Sequence, residues 1–179
     1  MPVATSETHP LEVGWLPILP PGRLGLTMAP GRCQTRKGGG ERWERDMPAD
    51  LLRLQELGCE DLVCLLPVHE RAGIGVAGLP AAAAAAGLAF RAHPMQSGGR
   101  IPAPAELTAI VASVVAAVRE GRTVVVHCAG GLGRSGLIAG CALRSMGWEA
   151  DAALRALVAA RGSRCPETEG QREAIRRFG

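Results

Sequence analysis

One cysteine and one arginine, with five residues between them, are the side chains in this sequence best placed for chemistry. They are Cys128 and Arg134, in the stretch VVVHCAGGLGRSG at 124–136. Three β-branched residues lead into His127 and Cys128, glycines crowd the interval, and Ser135 follows the arginine. A thiol at a strand end, a glycine-rich turn and a helix opening at an arginine suit a phosphate ester. The backbone N–H groups of Ala129, Gly130, Gly131, Leu132, Gly133 and Arg134 can curl around phosphoryl oxygens, glycine permitting the angles such a nest needs. The helix start adds the positive end of its dipole. Amides and dipole together lower a thiol pKa, by about one to five units in sites of this kind. The thiolate can then attack phosphorus. Arg134 offers a planar fork to two oxygens, which lysine cannot match. Ser135 can donate to the sulfur as it leaves.

Three other readings account for fewer of these letters. GLGRSG at 131–136 matches the dinucleotide fingerprint G-x-G-x-x-G, and Glu149 or Asp151 lies about twenty residues on. That acid belongs at the end of a following strand, however, and WEADAALRALVAARG reads as helix. A nucleotide P-loop needs G-x-x-x-x-G-K-[ST]; with Gly133 as its second glycine, Cys128 and Arg134 stand where glycine and lysine are required. A buried structural cysteine beside a glycine turn explains neither the arginine's spacing nor the glycine density.

The elements that must hold this loop are legible from periodicity. TVVVHC reads as a strand buried on both faces, DLVCLL at 61–66 and LAFRAHP at 88–94 as further strands. Asp46 caps a helix through MPADLLRLQELG, ended by Gly58. LPAAAAAAG favours a short helix with Pro80 in its first turn. Glu106 to Arg119 carries Leu107, Ile110, Val111, Val114, Val115 and Val118 at helical spacing. Helices at 134–146, 151–161 and about 168–178 finish the chain. WLPILP and RLGLTMAP suit two edge strands of a hairpin or packed extended chain. PGRCQTRKGGGERW has the composition of a mobile loop. The expectation is a single α/β domain over 15–179, with a flexible tail over 1–14. Its sheet is largely parallel, of about four to five strands flanked by helices, with the ligand beyond the strands' carboxyl ends.

Bulk composition agrees. The 179 residues are 47% hydrophobic but 3% aromatic, with no tyrosine, so Ala, Val, Leu and Ile build the core. A net charge of +3, with no basic run interleaved with aromatics, argues against nucleic acid. No run approaches a membrane span, and MPVATSETHP lacks the pattern of a signal peptide. The six cysteines include no C-x-x-C pair, which argues against structural zinc, and without an export pattern the expectation is reduced thiols in the cytoplasm.

HCAGGLGRSG resembles the signature H-C-x-G-G-x-G-R-[ST] of the protein tyrosine and dual-specificity phosphatases. It is most similar to the kinase-associated phosphatase (cyclin-dependent kinase inhibitor) branch and its bacterial relatives. LGLTMAPGR, HPMQSGGRIP and RGSRCPETEGQ resemble the family's strand and turn, its histidine–proline stretch with acid loop, and its last turn. The resemblance implies the phosphatase fold, Cys128 as nucleophile, Arg134 as phosphate clamp, Ser135 as assistant in hydrolysis, and neither metal nor cofactor. It implies that the His127 ring supports the loop and helps keep Cys128 ionised, and that Gln171 touches the attacking water; read without it, His127 is a core histidine with satisfied hydrogen bonds and Gln171 a surface residue of the last helix. The substrates it implies are phosphorylated proteins or small phosphoesters, with a catalytically weak, phosphate-binding relative as the alternative.

One departure stands out. Where the family carries an aspartate that protonates the leaving oxygen, alignment of His93-Pro94 and Gly98-Gly99 puts Ser97. Glu70, after the DLVCLL strand, and Glu106, at a helix start, are the substitutes the sequence offers. Glu106 also fits as a first-turn acid facing a helix dipole. His93 reads as structural, and Cys64 as a buried small residue or as a disulfide partner of Cys128.

Overall fold

The computed structural model describes residues 3–19, 21–35 and 42–179. In chain order the elements begin with β1 (Val3–Thr5), β2 (Gly14–Trp15), β3 (Arg23–Thr27), β4 (Cys33–Thr35) and β5 (Arg42–Glu44). Next come α1 (Met47–Glu56), β6 (Asp61–Cys64), α2 (Val68–Gly73), α3 (Leu79–Ala85) and β7 (Ala89–Ala92). The chain closes with α4 (Pro104–Arg119), β8 (Thr123–His127), α5 (Arg134–Ser145), α6 (Ala150–Arg161) and α7 (Glu169–Arg177).

The main sheet has five strands in the order β2-β3-β8-β6-β7. Three of its four pairings are parallel, and β2 runs antiparallel to β3. Alternation along the strands divides the core between the two faces. Val124, Val126, Val63 and Leu65 pack toward α4, α5, α6 and α7, while Val125, Leu62 and Cys64 pack toward α1 and α3. A buried parallel sheet needs such apolar residues on both faces, which is what TVVVH supplies.

The helix that follows the loop, α5, is buried from Arg134 through Leu143. It packs on α4, α6, α7 and the sheet. Its glycines permit this: a Cβ on Gly136 would lie 2.8 Å from Cys165 Sγ, and one on Gly140 2.4 Å from Ile175 Cδ1. The expected helices all form, and the Asp46 side chain accepts from Ala49 N–H at 2.7 Å as an N-cap.

Three features differ from expectation. The segment read as a flexible tail is built in. Val3–Thr5 pairs in parallel with β5 in a second sheet of order β1-β5-β4, and Leu11 is buried in the α1–α3 core. The stretch read as a mobile loop contributes the antiparallel strands β4 and β5 to that sheet, with its glycines at 38–40 outside the described residues. Strands of three residues are too short for alternation to mark. Finally, β3 lies between β2 and β8 rather than at an edge, and HERAGIG contains the short helix α2.

Candidate functional site

The loop between β8 and α5 owes its shape to its carbonyls. His127 Nδ1 lies 3.1 Å from the Cys128 carbonyl, and Ala29 N–H donates to the Ala129 carbonyl at 3.2 Å. Arg161 donates through Nε to Gly131 O at 3.2 Å and through Nη2 to Gly130 O at 3.3 Å. The Cys165 thiol and Gly136 N–H donate to Leu132 O, and Leu137 N–H donates to Gly133 O. Every carbonyl from 128 to 133 is therefore engaged by a donor from outside the loop. With the carbonyls so held, the amides are left for the concave side, and Gly131 N–H reaches Cys128 Sγ at 3.3 Å. Gly131 takes φ +72°, and a Cβ there would come within 2.5 Å of the Thr27 carbonyl, so glycine is required.

Cys128 is buried, with Sγ 3.5 Å from Ser135 Oγ. Burial alone would push its thiol up. Hydrogen bonds from the Ser135 hydroxyl and backbone, the Arg134 charge and the Leu132 backbone outweigh it, so the thiol sits below its ordinary value. Burial pushes Cys59, Cys141 and Cys165 up to about 12, and Cys64 is also raised. Cys64 is free and stands in register beside His127, packed as a core residue.

Arg134 is almost fully buried and is held as a fork. Its Nη1 donates to Glu70 Oε1 and to the Met95 carbonyl, each at 3.0 Å, and its Nη2 lies 2.8 Å from Glu70 Oε2. Nη1 thus donates two hydrogen bonds, and Nη2 is ion-paired beside it. Nε–H and one Nη2–H share the other edge of the plane, an arrangement suited to two phosphoryl oxygens. Glu70 was expected as a substitute acid. Instead α2, which follows β6, brings both its carboxylate oxygens onto Arg134, where they hold the plane of the guanidinium.

A cavity of about 430 Å³ opens over the loop, with Cys128 and Arg134 in its lining. Ser97, Gly98 and Gly99 form part of its wall. Glu106, in the first turn of α4, lines a different depression, with Pro94 and Arg100. His93 Nε2 lies 3.0 Å from Ser113 Oγ, tying the end of β7 to α4 as a structural histidine. Gln171 is buried in the cavity wall, and its Oε1 accepts from Thr168 N–H in a capping box. Six of the lining residues carried no individual signal in the sequence: Trp43 on β5, Met28, Arg32, Arg161, Arg164 and Glu167.

His127 supports the loop but supplies no charge. A carbonyl only accepts, so the ring carries its proton on Nδ1. Burial pulls its pKa down to about 4, the Arg134 and Arg71 charges add to that, and the bond to Cys128 O opposes it only in part. The ring is neutral at pH 7, so it cannot keep Cys128 ionised through charge. The unfolded chain takes up a proton near pH 6.5 that the folded protein refuses until about pH 4. Stability must therefore fall as pH drops through that window, by roughly 3 kcal/mol in total at about 1.4 kcal/mol per pH unit. Urea unfolding at pH 7 and pH 4.5 checks this, since His127→Asn should lose less stability between the two than the wild type.

A thiol held low by an amide-lined loop, with an arginine fork at the helix start of a five-stranded α/β fold, defines a protein of the cysteine-dependent tyrosine and dual-specificity phosphatase class. Comparison with known proteins sharpens this. The family model described as Cyclin-dependent kinase inhibitor 3 (CDKN3) matches residues 2–151, and the chain belongs to that family. The rat cyclin-dependent kinase inhibitor 3 is 26% identical over 140 residues, covering 78% of this chain and 64% of the relative. The human protein is 26% identical over 138 residues, covering 77% and 63%. The chain thus matches a little under two thirds of the length of these curated relatives. Among solved structures, kinase associated phosphatase with its catalytic-site cysteine replaced by serine superposes with TM-score 0.81 at 25% identity, covering 94% of each chain. Tk-PTP in its active form gives TM-score 0.66 at 24% identity, covering 88% of this chain and 91% of that one. TpbA of P. aeruginosa gives 0.59 at 20%, covering 91% and 89%.

Proposed function

We propose that this protein hydrolyses phosphomonoesters through a phosphocysteine on Cys128, acting on phosphorylated proteins and favouring phosphotyrosine-like aryl esters. The observation that carries the reading is the loop itself. Its carbonyls are all bonded outward, and its cysteine is the one whose thiol is shifted down while Cys59, Cys64, Cys141 and Cys165 are shifted up. Cys128 attacks phosphorus in line while the amides of 129–134 and the free edge of Arg134 hold the equatorial oxygens. Ser135, 3.5 Å from the sulfur, stabilises the thiolate as it departs in the second step. Trp43 gives the cavity an aromatic wall, and Ser97 leaves a departing alkoxide without an acid; both favour aryl over alkyl esters. Small phosphoesters of the same leaving-group type are substrates on this reading, and the cytoplasm is the proposed location.

The thiol environment makes the test direct. Iodoacetate should label Cys128 well below pH 8, and phosphate or vanadate should protect it, because only the thiolate alkylates. Cys59 and Cys165 should stay unlabelled under the same conditions, with peptide mass mapping assigning the sites. Labelling of Cys128 no faster than theirs, without protection by oxyanions, contradicts the proposal. A second reading, a weak relative that binds phosphorylated partners without turning them over, draws on Ser97. It predicts the same labelling but no release of phosphate from an aryl ester.

A further inference from the structure

The second half of a phosphocysteine cycle needs a base. Water must attack phosphorus opposite the sulfur, and its proton must go to a group beside that position. Glu70 has both oxygens on Arg134, Glu106 lies outside the cavity, and Ser97 is not a base. Among the described residues, the carboxylate that does line the cavity with Cys128 is Glu167, in the turn between α6 and α7. It is exposed on its other side.

Its placement is specific. A Cβ built on Gly133, the residue just before the clamp arginine, would lie 2.7 Å from Glu167 Oε2 and 3.1 Å from Gln171 Nε2. The two side chains therefore converge over the last residue of the loop, in the space that glycine leaves open. Gln171 is oriented: its Oε1 accepts from Thr168 N–H, so its NH₂ group is the end turned to Gly133. An acceptor and a donor set side by side against the loop form a seat for one water, which accepts from Gln171 and donates to Glu167.

We propose that Glu167 is the general base that activates water for hydrolysis of the Cys128 phosphocysteine. The inference rests on the phosphatase reading above and adds to it the residue that completes the cycle. In this step the water O–H bond breaks and its proton passes to the Glu167 carboxylate. The new O–P bond forms as the P–S bond breaks. The electron pair returns to Cys128 as thiolate beside Ser135, phosphate leaves, and the proton passes from Glu167 to solvent.

The role has a kinetic signature that a structural role lacks. With p-nitrophenyl phosphate, kcat/KM reports steps through formation of the phosphocysteine, whereas kcat includes its breakdown. Glu167→Gln is isosteric and at an exposed position. It should lower kcat by about 10²- to 10⁴-fold, the usual worth of a general base, and lower KM with it, leaving kcat/KM near the wild-type value. Stopped-flow should then show a p-nitrophenolate burst approaching about one equivalent, with ³²P trapped on Cys128 by acid quench. A Glu167→Gln enzyme with wild-type kcat and no trapped label overturns the assignment. So does one in which kcat/KM falls as far as kcat, since that places Glu167 in the first step. If wild type and variant both lack Cys128-dependent release of p-nitrophenolate, the hydrolase reading itself fails.

Discussion

Arg134→Lys is expected to lower kcat/KM on an aryl phosphate by about 10³- to 10⁵-fold, the range over which an arginine that stabilises a transferring phosphoryl group is worth its place. The cause is geometric rather than a matter of charge. Glu70 and the Met95 carbonyl hold the Nη1 and Nη2 ends of the guanidinium and fix its plane, so the other edge presents two parallel donors without further ordering. An ammonium group keeps the charge but has three donors and no plane. It can satisfy Glu70 or the phosphate, not both in fixed register. Vanadate affinity by calorimetry should fall along with turnover. Cys128→Ser is the complementary case, in which turnover is lost while oxyanion binding persists, because the amides and the arginine remain. Unchanged vanadate affinity in Arg134→Lys would remove the clamp from the mechanism. Glu70→Gln should lie between the two, since it leaves the arginine in place but without a charged partner to set its plane.

Which parts of this site a sequence can disclose follows from distance along the chain. Cys128, Arg134 and Ser135 are neighbours on one loop, and their spacing is itself the geometry, so they are legible without a structure. The long helices and inner strands are legible too, because α4 repeats its apolar residues at helical spacing and β8 is apolar on both faces. What escapes is whatever is assembled from afar. Arg161 holds loop carbonyls thirty or so positions upstream, and Glu70 meets Arg134 across 64 residues. Nothing in either local sequence marks such a partner. Glu70 was legible as a residue near the site, from the strand end before it. The direction of its carboxylate was not, because that depends on the one-turn approach of α2. Trp43 was hidden for another reason: β5 is three residues long with mostly exposed side chains, and its pairing with the chain's first residues has no periodic trace. Glu167 was overlooked because an exposed glutamate before a helix reads as surface, and only the space over Gly133 distinguishes it.

Ser97→Asp should raise kcat/KM on esters with strongly basic leaving groups by up to about 10²- to 10⁴-fold while changing an activated aryl ester little. In forming the phosphocysteine, the departing oxygen needs a proton in proportion to its basicity. A nitrophenolate leaves unaided, a tyrosine phenolate benefits from help, and a serine alkoxide depends on it. In the wild type, Glu70 is bound to the clamp, Glu106 faces another depression, and the hydroxyl of Ser97 is far too weak an acid. The logarithm of kcat/KM should therefore fall steeply as leaving-group pKa rises, with phosphoserine nearly inert. An aspartate at 97 enters from a loop that already forms part of the cavity wall, so it requires no rearrangement of the fold. It should flatten the slope and add an alkaline limb to the pH dependence of kcat/KM, a fall as the new carboxyl group loses its proton. The two carboxylates would then divide the cycle, with Asp at 97 serving departure of the alcohol and Glu167 serving attack of water. The slopes can be measured with a series of substituted phenyl phosphates extended to phosphoserine, in wild type and in Ser97→Asp. A wild-type slope already flat and unchanged by the substitution would mean that another group delivers the first proton, and the preference for aryl esters would then lose its physical basis.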